Sequence, residues 1–109
     1  MAPTVWYHVR NLDDGRRFYQ DVLGFEELAV DFDARWSELR RGEMEIGLAE
    51  GEPSDEGVAH VDVADLKEEA GRLREAGVEV GIVLELTGEM RLLDVYDPDG
   101  NRIQLAQEL

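Results

Sequence analysis

The sequence predicts an α+β fold of two βαβββ modules whose strands form a curled, cup-like mixed sheet. Three observations predict it: an internal repeat of almost half the chain, two amphipathic helices each stopped by a glycine, and alternating β-favouring runs between them. HVRNLDDGRRFYQDVLGFEEL (8–28) has the plan of DVADLKEEAGRLREAGVEVGI (62–82). Val9 matches Val63 and Leu12 matches Leu66, both 54 residues on in a chain of 109, and Gly24 matches Gly77 after a one-residue slip. The module ends also agree, IGLAE from Ile46 with IQLAQ from Ile103.

The elements follow in order. Alternation predicts strands over 4–10, 26–33, 36–40 and 44–50 in the first half, and over 58–63, 78–84, 91–96 and 102–107 in the second. In the first helix Leu12, Phe18, Val22 and Leu23 make an apolar stripe that Gly24 ends. In the second, Leu66, Ala70, Leu73 and Ala76 share a face, with Asp65 as cap and Gly77 as stop. GEPSDEG (51–57) is the polar joint of a single domain, 1–109, with modules 1–54 and 55–109. Phe18, Tyr19 and Phe25 are expected in the core, and DPDG (97–100) as a tight turn into the last strand.

Composition limits the function classes. At 43% hydrophobic, a chain of this length has enough apolar content for one core, and a partner surface would help it, so a homodimer is expected. The absence of cysteine removes disulfides, thiolate nucleophiles and zinc-thiolate sites. A net charge of -15, from 26 acids against 11 bases, argues against nucleic acid and makes a cationic ligand electrostatically welcome. Neither a basic leader with an apolar run nor a membrane-length segment is apparent, so a cytoplasmic protein with no membrane partner is expected. Ser37 and Ser54 lack the strand-turn-helix elbow of a serine nucleophile.

Strand pleat decides which side chains reach a ligand. Val5, Tyr7 and Val9 face the helix, leaving Thr4, Trp6 and His8 on the other side; Ala59, Val61 and Val63 likewise leave Val58, His60 and Asp62. Glu45, Gly47 and Ala49 join that second face, as do Arg102, Gln104 and Ala106. The face of Trp36 is left open, because the turn at 32–35 sets its register.

V-x-N-L-D followed by RRFYQDVLGFEE, V-A-D-L with its helix, and the closing DPDGNRIQL together resemble the vicinal oxygen chelate superfamily of glyoxalases, bleomycin-resistance proteins and extradiol dioxygenases. The resemblance covers essentially the whole chain and implies paired modules forming a cup, commonly within a homodimer. It also implies four ligand positions for a divalent ion in the metal-dependent members. These fall on Thr4, Gly47, Val58 and Gln104, of which only Gln104 carries a credible donor.

The expectation is therefore a metal-independent small-molecule-binding protein, not committed to catalysis, that sequesters an aromatic or cationic compound without a cofactor. Its cup is lined by the aromatic and imidazole groups Trp6, His8, Trp36 and His60 with the polar Asp62, Arg102 and Gln104. Two alternatives stay open. One is a metal-dependent lyase, isomerase or dioxygenase with a divalent ion on a shifted site of His8, His60, Asp62 and Glu45. The other is a closed cup whose purpose is association with another chain. Whether the cup lies within one chain or is completed by a swapped module is also open.

Overall fold

Alternating apolar residues open each module, and the pleat they impose is present. In the computed structural model, which describes residues 3, 5–53 and 57–109, strand β1 (Val5–Val9) buries Tyr7 and Val9 and turns Trp6 outward. The Asn11 side chain then accepts the Asp14 N–H at 3.0 Å to start helix α1 (Leu12–Arg17), and Asp65 accepts the Glu68 N–H at 3.1 Å to start α2 (Leu66–Glu75). Helix α1 widens into a π-helical turn over Phe18–Val22, closed by the Leu23 N–H on the Phe18 carbonyl at 3.1 Å. Tyr19 and Leu23 are fully buried there, while Phe18 and Val22 pack at the margin of the core. Gly24 and Gly77 end the helices with φ of 74° and 80°, a region that only glycine enters without strain.

The first module continues through β2 (Glu26–Asp31), β3 (Trp36–Arg41) and β4 (Met44–Glu50) in a sheet of order β1-β4-β3-β2. The second has β5 (Ala59–Asp62), β6 (Glu79–Val80), β7 (Leu84–Leu86), β8 (Met90–Tyr96) and β9 (Arg102–Glu108), in the order β5-β9-β8-β6 with β7 also on β8. First and last strands of each module run parallel, β1 with β4 and β5 with β9, and the other pairings are antiparallel. The expected α+β plan of two paired modules is present, with the strands divided between two mixed sheets, one to each module, where a single curled sheet was expected.

One element differs from expectation. The strand predicted over 78–84 is divided into β6 and β7, because Val80 pairs with Val95 but Leu84 with Leu92. Three residues on this strand then oppose two on β8, a bulge that leaves Ile82 outside the ladder and 75% exposed. The first module is interrupted at the matching place, where β2 shifts register between Glu27 and Ala29.

The halves meet through buried polar groups. The Tyr7 hydroxyl accepts the Ala59 N–H at 2.8 Å and donates to the Arg102 carbonyl. Asp97, 5% exposed, accepts from the Tyr19 hydroxyl at 2.8 Å and from the backbone N–H groups of Asp99 and Asn101, both at 2.9 Å. The Asn101 amide donates to Asp97 and to the His8 carbonyl. The DPDGN turn thereby aims β9 and fastens it to the other module. A second link between the halves is made by Arg41, which grips Glu69 of α2 with bonds of 2.7 and 3.0 Å. Buried apolar residues of both modules form one cluster. Among the described residues no helix is long and apolar enough to cross a membrane.

Candidate functional site

Residues paired across a ladder share a face, so the register defines the surface left uncovered by the helices. In the first module one rung runs Trp6, Gly47, Glu38 across β1, β4 and β3, and the next runs His8, Ala49, Trp36. Trp36 therefore shares the face of Trp6 and His8, which settles the register that the turn left open. A Cβ on Gly47 would lie 2.3, 2.4 and 2.5 Å from three neighbouring carbons of the Trp6 benzene ring. Near-equal distances to three bonded atoms mean that the ring lays its face, not its edge, over Gly47. Trp6 as a whole is 38% exposed. The His8 ring lies against Gly51, and its Nδ1 is buried without a hydrogen-bond partner among the described residues.

The second module presents the corresponding rung as His60, Gln104, Asp94. Gln104 Nε2 donates to Asp94 Oδ1 at 3.4 Å, and Arg102 approaches Asp94 Oδ2 at 3.6 Å. Asp94 and Gln104 line a cavity of about 240 Å³ with Ile82, Leu84, Leu92 and Tyr96. His60 and Asp62 line another, of about 400 Å³, beneath the turn from Arg41 to Met44. Arg102 borders a third of about 400 Å³ with Tyr7, whose burial raises its pKa to about 12. Trp6, His8 and Trp36 are thus together, Arg102 and Gln104 meet through Asp94, and His60 adjoins Asp62. None of these cavities joins Trp6 or His8 to His60.

The four positions implied for a divalent ion can be tested on their donors. Thr4 lies outside the described residues; Val58 has no donor side chain, and Gly47 has none either. The space that a ligand side chain from position 47 would enter is filled by the Trp6 ring. Among the described residues no three His, Asp or Glu side chains converge as a metal site, so a single chain does not gather His8, His60, Asp62 and Glu45 around an ion. The described residues do not fit the resident metal of the metal-dependent members. Glu38 and Asp94 were not singled out in the sequence. Counting rungs from Gly47 and Gln104 would have found both, had the pairing of the central strands been known.

The model of the Glyoxalase/Bleomycin resistance protein/Dioxygenase superfamily matches residues 3–105, and the chain belongs to that superfamily. No curated protein matches it. Among solved structures it is similar to an integron cassette protein from the mobile metagenome of Halifax Harbour sewage outfall, with TM-score 0.83, 22% identity and 97% of each chain covered. It is similar also to the genomically encoded fosfomycin resistance protein from Listeria monocytogenes, complexed with Mn(II) and sulfate ion, at TM-score 0.81 and 19% identity, covering 100% of this chain and 90% of that one. A lactoylglutathione lyase from Agrobacterium tumefaciens follows at TM-score 0.72 and 17% identity, with 97% and 92% covered. At these identities the likeness establishes the fold.

Proposed function

We propose that this chain binds a small organic molecule without a metal ion, holding an aromatic or cationic guest rather than activating a chelated oxyanion. One observation carries the reading: the Trp6 ring lies over Gly47, where a metal-dependent relative would project a ligand. That ring replaces a donor by a stacking surface and leaves Gln104 and Asp94 to hydrogen-bond a guest. The guest site comprises the expected residues Trp6, His8 and Trp36 on one face with His60, Asp62, Arg102 and Gln104 on the other. Since these faces share no described cavity within one chain, we infer that two copies pair in the cytoplasm, each supplying one face to the other.

Protein purified without chelator is titrated with basic and neutral aromatic compounds while tryptophan fluorescence is followed. A saturable response unchanged by EDTA is expected. A stoichiometric divalent ion, lost on His60→Ala, would overturn the reading. Light scattering checks the pairing, which a monomer at the titration concentration would contradict.

A further inference from the structure

We infer that, within that site, the first module's face is the subsite for a compact aromatic cation, with Glu38 as its counter-charge. The inference rests on the metal-independent reading above and names the guest and a residue that reading does not contain. Glu38 is the cross-strand neighbour of Gly47, the residue that the Trp6 ring covers, on the same face and two residues from Trp36 along β3. It is half-buried and has no hydrogen-bond or ion-pair partner among the described residues.

The other acids of this face are occupied. Asp31 accepts from the N–H groups of Asp33 and Ala34, Glu26 meets Arg40 at 3.5 Å, and Glu45 has an interaction of its own. Arg40 is the base nearest along β3, and Glu26 is its partner. An unpaired carboxylate in a partly desolvated position favours a cation there, and the net charge of -15 adds to that potential. The partly exposed Trp6 ring attracts the same charge through its quadrupole, and a flat ring stacks on it best. Trp36 on the adjoining rung offers the second aromatic wall. A neutral ring would gain only the stacking, and an anion would meet Glu38.

The test compares N-methylquinolinium with quinoline, held uncharged at about pH 8, by titration calorimetry and by the shift of the indole N–H signals. The cation is expected to bind about tenfold more tightly. Glu38→Gln, which keeps the shape, should weaken the cation by about tenfold and leave quinoline unchanged. Trp6→Ala should weaken both probes. If Glu38→Gln spares the cation while Asp62→Asn weakens it, the inference fails and the broader binding reading stands. If neither probe gives a saturable signal, the inference and the reading beneath it fall together.

Discussion

In the first module Trp6 stands beside Gly47 on neighbouring strands; in the second, His60 stands beside Gln104 on the equivalent rung. The ladders agree and the chemistry does not. One rung is a ring laid on bare backbone, the other an imidazole beside an amide that leans on a carboxylate. A repeated backbone evidently fixes where side chains stand without fixing what they are, so each half of such a fold is free to take a separate task. Here the first half is suited to stacking and the second to hydrogen bonding.

The two modules also reach across to each other by unequal means, and that inequality is the easiest part to break. Asp97 is a buried hub, whereas Arg41 and Glu69 remain 22% and 14% exposed at their side chains. Asp97→Ala leaves the Tyr19 hydroxyl and two backbone N–H groups without their acceptor, and the Asn101 amide with only the His8 carbonyl. It should cost about 3–5 kcal/mol in urea unfolding, the largest loss of any single change considered. A loss below about 1 kcal/mol would mean that water replaces the carboxylate freely.

Gly47→Ala comes next, at about 1–2 kcal/mol, because its Cβ would displace the partly exposed Trp6 ring. The same substitution in a Trp6→Ala background should cost almost nothing, and that double-mutant cycle isolates the contact. Equal penalties in the two backgrounds would show that the glycine serves the backbone instead. Arg41→Ala should cost about 1–2 kcal/mol, through its bonds to Glu69 and the Leu23 carbonyl.

Much of this organisation was legible because local chemistry sets it. Gly24 and Gly77 announce the helix stops, Asp65 the second cap, and the 54-residue spacing the repeated plan. Alternation likewise gave the inward faces of β1, β5 and β9, since the pleat has a period of two wherever pairing holds. What escaped depends on pairing between strands. The division of 78–84 arises from one extra residue against β8, which no pattern within that segment reveals. The glycine at 47 reads as a missing donor in one dimension; only the register with β1 shows that an indole fills its place. Glu38 was passed over for the same reason.

The smallest expected effect distinguishes the modules by pH. Three residues past the helix-stop glycine, the first module has Glu27 and the second Val80, which packs against the core. Glu27 accepts from Arg16 at 2.7 and 2.8 Å and from the buried Ser37 hydroxyl at 2.7 Å. The Arg16 guanidinium, and then Ser37, hold its carboxyl below the ordinary value of 4.5 against the opposing effect of burial. A carboxyl lowered in the folded state binds its proton more readily when unfolded. Its contribution is therefore complete above about pH 4.5 and is lost as the pH falls towards the folded value. Glu27→Gln should be less stable than the parent near pH 7, and the two urea midpoints should draw together as the pH falls through the lowered folded value. A gap that persists undiminished on acidification would assign Glu27 a packing role. The acid sensitivity of this position would then not separate the polar network of the first module from the valine of the second.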